Sequence, residues 1–110
     1  MNYQHAALAG GKWQKMSFAE QMSNVGSEVN RAILWREKNN LGYSKKAFER
    51  SLELLTLTIA DLKNKKRLKE LTRLYEILVD DFSYNNEYGS TNKSWQNYFL
   101  SFNYLARINL

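Results

Sequence analysis

Across residues 44–82, apolar positions recur at steps of three and four, first as Phe48, Leu52, Leu55, Ile59 and Leu62, then as Leu68, Leu71, Tyr75, Leu78 and Phe82. That spacing follows the turn of an α-helix, so each set predicts one buried stripe. Leu54 and Thr58 widen the first stripe and Leu74 the second, while Lys69, Arg73, Glu76 and Asp80 fall on a solvated face. The pattern predicts two long amphipathic helices joined by a short basic turn.

Upstream, Phe18, Met22, Val25, Val29 and Ile33 repeat the same period. Ser17 and Glu20 have the capping-box spacing, in which a hydroxyl and a carboxylate satisfy the free amides of a helix start. Ala19, Gly26 and Ala32 are small enough to let a neighbouring helix approach. Gly26 costs about 1 kcal/mol of helix propensity relative to alanine, so close packing is its expected purpose. The run Asn39-Asn40-Leu41-Gly42 is expected to close this helix, and Ser44 to cap the next.

Downstream, residues 83–93 form a polar connection, within which Ser90 or Thr91 is expected to start a last helix. Trp95, Phe99, Phe102 and Ala106 mark its inner face, with Tyr98 and Leu105 beside it. Residues 1–16 contain Gly10-Gly11 and no sustained period, which predicts an N-terminal arm anchored by Trp13. The fold expected is all-α: an antiparallel up-down four-helix bundle over residues 17–110 with the short arm before it.

Composition sharpens this picture. A chain of 110 residues holds about one domain, and 44% apolar content is enough for a core. Proline is absent, so nothing interrupts long helices. Without cysteine there is no disulfide framework and no thiolate site, which suits a reducing compartment, and the cytoplasm is the expected location. The apolar runs fall far short of the roughly 20 residues that span a bilayer, so no membrane is expected.

The formal charge is +5. An up-down bundle gathers Lys12, Lys15, Lys63, Lys65, Lys66, Arg67, Lys69 and Arg107 near one pole, an electrostatic footprint for RNA or DNA phosphates to which Trp13 could add stacking. Cations at a helix start oppose its dipole by about 0.3 to 1 kcal/mol each, so local helix energetics do not explain them. A solvated, solubilising turn is the other reading.

Candidate chemistry is sparse. His5 is the only histidine, so no Cys/His metal set exists. Asp80, Asp81 and Glu87 have no metal-loop spacing and read as a solvated acidic helix end. Glu28, Arg31, Arg73, Glu76 and Arg107 lie beside apolar stripes, where Glu-Arg pairing across helices would fix the bundle register. Glu28 with Arg31, and Arg73 with Glu76, also have the spacing of local surface pairs, which is the favoured reading. No catalytic residue, metal site or cofactor is expected. Trp35, Tyr43, Tyr84, Tyr88 and Tyr104 are candidate exposed anchors for a protein partner or a second copy, with a dimer the commonest oligomer.

From residue 29 to residue 59, the order Ala32-Ile33-Leu34-Trp35, Arg36-Glu37-Lys38-Asn39, Tyr43, then Ala47-Phe48-Glu49-Arg50-Ser51-Leu52-Glu53 resembles HEPN-type helical bundles. Those include RNA-cleaving toxins and non-catalytic partners of minimal nucleotidyltransferases. The ribonuclease members carry an arginine followed within a few residues by histidine in a late helix. Here Arg73 is followed by Leu74-Tyr75-Glu76-Ile77-Leu78 and Arg107 by Ile108-Asn109-Leu110, so the resemblance implies a non-catalytic member. Lys12-Trp13-Gln14-Lys15-Met16-Ser17-Phe18-Ala19-Glu20-Gln21-Met22 with Gly26-Ser27-Glu28-Val29 is similar to a group of small uncharacterised bacterial proteins. The expected function is a non-enzymatic adaptor that engages protein partners or itself, within a nucleic-acid-handling system. Direct nucleic-acid binding through residues 63–69 is the alternative.

Overall fold

Ser17 opens the first long helix through the reciprocal pair its spacing predicts: its hydroxyl accepts from the Glu20 amide and the Glu20 carboxylate accepts from the Ser17 amide, each at 3.1 Å. The structure, a computed structural model, describes residues 8–108; His5 lies outside them. Helix α1 spans Phe18–Glu37.

Asn39 takes the left-handed conformation at φ 59°, and Asn40 then caps α2 (Leu41–Ala60) by accepting from the Tyr43 amide at 3.1 Å. The expected cap, Ser44, is instead inside α2 and buried; its hydroxyl donates to the Ala32 carbonyl at 2.8 Å. The shift follows from the turn being shorter than expected. Once Asn40 satisfies the first free amides, the helix begins ahead of Ser44, whose side chain then faces α1.

A second departure ends α2. Asp61 leaves helical geometry with ψ 122°, and the chain enters a 3-10 turn at Leu62–Arg67 before α3 (Leu68–Ser83). That break rotates Leu62 out of the apolar stripe, and it is 86% exposed. Leu68, also placed on a stripe by its spacing, is half-exposed.

Asp80 shapes the connection to the last helix by accepting from the amides of Glu87 (2.9 Å) and Tyr88 (3.1 Å). Helix α4 spans Asn92–Ile108. Thr91 and Ser94 cap its start reciprocally, each backbone amide donating to the other's hydroxyl oxygen.

Cross-helix contacts define the topology. Arg50 donates to Glu28 at 3.2 Å and Ser44 reaches Ala32, so α2 runs antiparallel to α1. The rings of Phe48 and Phe82 stack with centroids 5.1 Å apart, so α3 runs antiparallel to α2. Ser23 donates to Asn103 at 2.7 Å and Gln96 to Asn30 at 3.4 Å, so α4 is antiparallel to α1. The protein is an all-α, up-down-up-down four-helix bundle, with no strand among the described residues.

Met22, Val29, Ile33, Leu55, Leu71 and Leu78 fill its centre together with Trp95 and Phe99. Gly26 lies against Phe99: a Cβ added there would come within 2.8 Å of the ring's Cδ1 and of Phe99 Cβ. Close approach of α1 and α4 is therefore the reason for glycine at this position. Among the described residues, no helix is long and apolar enough to cross a membrane.

Candidate functional surfaces

At the first pole, the arm, the start of α1, the end of α2 and the 3-10 turn are tied together by a buried polar network. Trp13, fully buried in its own short turn (Trp13–Lys15), donates from Nε1 to Thr58 Oγ1 at 3.1 Å. Gln21 donates to the Trp13 carbonyl (3.0 Å) and to Asp61 Oδ2 (2.8 Å). Asn64 donates to Gln21 Oε1 and to the Thr58 carbonyl, both at 2.9 Å. Buried polar groups are costly unless paired, and here the pairing is what fixes the arm and the turn on the bundle. Trp13 is thus the expected anchor of the arm, but its burial removes it from any stacking with bases.

Two of the eight cations placed at this pole take part in the fold. The Lys63 ammonium lies against Asp61 Oδ2 and donates to the Gln14 carbonyl at 3.0 Å. The Arg67 guanidinium lies over the Phe18 ring at 4.3 Å, within cation-π range, and pairs with Glu70 at 3.8 Å. Burial alone would raise the Asp61 carboxyl, but hydrogen bonds from Lys63 and Gln21 and the ammonium charge outweigh it, holding Asp61 below the usual carboxylate range. Lys12, Lys15, Lys65, Lys66, Lys69 and Arg107 are exposed. Arg107 sits across a shallow groove from Met16, Glu20 and Asn24. The pole therefore keeps six uncommitted cations, with the carboxylates of Glu20 and Glu70 among them.

The second pole carries four of the aromatic residues read as candidate anchors, Trp35, Tyr43, Tyr84 and Tyr88. The α1–α2 turn brings Trp35 and Tyr43 edge to face, with centroids 4.8 Å apart at 72°. Lys38 Nζ lies 5.3 Å from the Trp35 ring centroid and Lys46 Nζ 5.8 Å from that of Tyr43. Tyr43 is half-exposed, and the adjacent Leu41 is 68% exposed. Across the same pole, the last turns of α3 and the connection after it form a groove of about 410 Å³, lined by Tyr75, Val79, Tyr84 and Asn85 and by the acidic Glu76, Asp80 and Glu87. Tyr84 is 74% exposed, and Tyr88 lies half-exposed just beyond. Tyr104 is exposed on α4, apart from this pole, in a stripe with Leu100 and Ile108.

Several acidic side chains have structural partners. Asp81 accepts from Arg36 at 3.0 Å and from Trp95 Nε1 at 2.7 Å, while Arg36 also covers the Phe82 ring at 4.1 Å. Glu28 pairs with Arg31 locally, as its spacing predicts, and in addition with Arg50 across the α1–α2 seam. Glu70 accepts from Tyr98 Oη at 3.1 Å; burial, then the Glu70 charge, pushes that phenol well above its ordinary range. Among the described residues, no group of three or more His, Cys, Asp or Glu could hold a metal ion.

Sequence reasoning missed Gln21, Asp61 and Asn64 at the first pole and Lys38, Lys46 and Leu41 at the second. A readable signal existed only for Asp61, an acidic cap two residues before the amide of Lys63, which donates to it at 3.1 Å. In comparisons with known proteins, no family model, no characterised protein and no solved structure matches this chain.

Proposed function

We propose that this bundle is a non-enzymatic adaptor that works by engaging other proteins or further copies of itself. The observation that carries the reading is a division of labour among its side chains. The clustered polar groups Asp61, Asp81, Gln21, Asn64 and Glu28 are held by partners within the fold, whereas Leu41, Tyr43, Tyr84 and Tyr88 are turned to solvent at one pole. Exposed aromatic side chains supply large contact area with few rotatable bonds to immobilise, which is how interface anchors act. A HEPN-like, non-catalytic role beside a nucleic-acid-handling enzyme in the cytoplasm is the setting this reading favours.

The test combines light scattering across micromolar concentrations with quantitative co-purification of wild type and a Tyr43→Ser/Tyr84→Ser variant. A dimer, or a stoichiometric partner retained by wild type and absent from the folded variant, supports the adaptor. A strict monomer with no partner that distinguishes the two proteins overturns it.

A second reading, direct nucleic-acid binding, is favoured by the exposed Lys12, Lys15, Lys65, Lys66 and Lys69 at the opposite pole. Fluorescence anisotropy with RNA and with single- and double-stranded DNA at two salt concentrations decides it, because affinity that rests on phosphate neutralisation falls steeply with salt. Absence of binding at low salt ends this reading.

A further inference from the structure

The second pole holds two surfaces that differ in charge and agree in character. At the α1–α2 turn, Lys38 and Lys46 flank the Trp35–Tyr43 pair, with exposed Leu41 and Lys45 beside it. Along the end of α3, the groove is lined by Tyr75, Val79 and Tyr84 together with Asn85 and the acidic Glu76, Asp80 and Glu87. Each surface combines aromatic and apolar side chains with charged groups of one sign, lysines at the corner and carboxylates in the groove. We propose that the groove is the docking site for the Trp35–Tyr43 corner of a second copy of this chain, the corner's lysines facing the groove's carboxylates.

Three features select that occupant. Charge is complementary between corner and groove, so a second copy brings to each surface the sign it lacks. Both surfaces lie at one pole, so a two-fold arrangement makes each contact twice: the corner of one copy in the groove of the other, and the reverse. A nucleic acid fits less well, because the Lys38 and Lys46 ammoniums lie over the ring faces on which bases would stack, and the groove's carboxylates stand at the same pole. Asp80 is already held by the Glu87 and Tyr88 amides, which leaves Glu76 and Glu87 as the exposed carboxylates able to move onto incoming lysines.

This inference rests on the adaptor reading and names its partner, and a charge-swap experiment separates the two. Wild type, Lys38→Glu/Lys46→Glu and Glu76→Lys/Glu87→Lys are compared by light scattering and sedimentation, with circular dichroism to confirm folding. The neutral variant Lys38→Gln/Lys46→Gln serves if charge reversal at the end of α1 disturbs that helix. The expected result is a wild-type dimer whose dissociation constant rises at least about tenfold in either reversal variant and less in the neutral one, because like charges then face each other. Mixing the two reversal variants should restore a heterodimer. A wild-type monomer at about 100 μM overturns the proposal on the affinity scale expected of a specific dimer, and leaves the adaptor reading to be decided by co-purification. A dimer indifferent to all these changes, or reversal variants that fail to rescue each other, also overturns it. So does a monomer whose Lys38→Glu/Lys46→Glu variant instead loses affinity for a labelled oligoribonucleotide.

Discussion

The indole nitrogen of Trp13 and the hydroxyl of Thr58 lie 3.1 Å apart, buried, and separated by 45 residues of chain. Thr58 in turn donates to the Leu54 carbonyl at 2.8 Å, so its oxygen is both acceptor and donor. Thr58→Val would leave the buried indole N–H unpaired, which costs about 1 to 3 kcal/mol. Trp13→Phe removes donor and volume together, and should cost a comparable amount, while Trp13→Ala should reach about 3 to 5 kcal/mol. Urea unfolding of the two single variants and of Trp13→Phe/Thr58→Val is expected to be non-additive. Additive losses would mean that the hydrogen bond contributes nothing to holding the arm.

Gly26→Ala sets two effects of opposite sign against each other. Helix propensity favours alanine by about 1 kcal/mol. The new methyl would meet Phe99 at its Cβ, Cγ and Cδ1, between 2.7 and 2.8 Å, close to the backbone where a rotamer change gives little relief. Overpacking of this kind costs about 1 to 3 kcal/mol, so net destabilisation is expected. Phe99→Leu should be less damaging in the Gly26→Ala background than in wild type. A melting temperature for Gly26→Ala at or above the parent's would show that α1 and α4 have room for a methyl group between them.

Acid should loosen the first pole through Asp61. Its folded pKa lies below the unfolded value of about 3.9, so its contribution is present above that value and lost as pH falls through the folded pKa. Melting temperatures of wild type should therefore drop below about pH 4, and Asp61→Asn, less stable at neutral pH, should show a shallower acid dependence. Parallel pH profiles for the two proteins would remove Asp61 as a source of acid sensitivity.

Leu55 and Leu62 occupy equivalent places in one apolar period of the sequence, yet Leu55 is fully buried in α2 and Leu62, in the 3-10 turn beyond it, is 86% exposed. Leu55→Asp buries an unpaired carboxylate at several kcal/mol, against a total stability of about 5 to 15, and should abolish the cooperative melt. Leu62→Asp should melt within a few degrees of wild type, since surface changes usually stay within about 0.5 kcal/mol. Circular dichroism melts of the pair check the end of α2 directly.

The basic pole can be tested without disturbing the fold by sparing Lys63 and Arg67, which bind Asp61 and cover Phe18. Replacing Lys12, Lys15, Lys65 and Lys66 with glutamine should leave melting unchanged. Any polyanion binding should weaken, with its logarithmic salt slope flatter by about 0.7 to 0.9 for each phosphate no longer neutralised. Unchanged affinity and slope for RNA that binds wild type would make the pole a solvated surface.

What the sequence determined by itself was set by local rules. Apolar residues at helical steps, the Ser17–Glu20 box and the absence of proline are read along one helix at a time, and they specify four helices and the up-down order of their short connections. Gly26 was legible for the same reason, as a propensity defect that only close packing explains. What the tertiary structure decided were matters of distant neighbours. Asp61 breaks the helix because Gln21, 40 residues away, and the Lys63 amide and ammonium satisfy its carboxylate, and that break carries Leu62 outward. Trp13, Gln21 and Asn64 become core residues because each finds a partner brought alongside by another element. The Trp35–Tyr43 corner with Lys38 and Lys46 forms because Asn40 starts α2 ahead of Ser44, which turns Tyr43 back against α1. Helical period depends on residues three and four apart, whereas the satisfaction of a buried polar group depends on whatever the completed bundle places within about 3 Å of it, and no spacing along the chain encodes that distance.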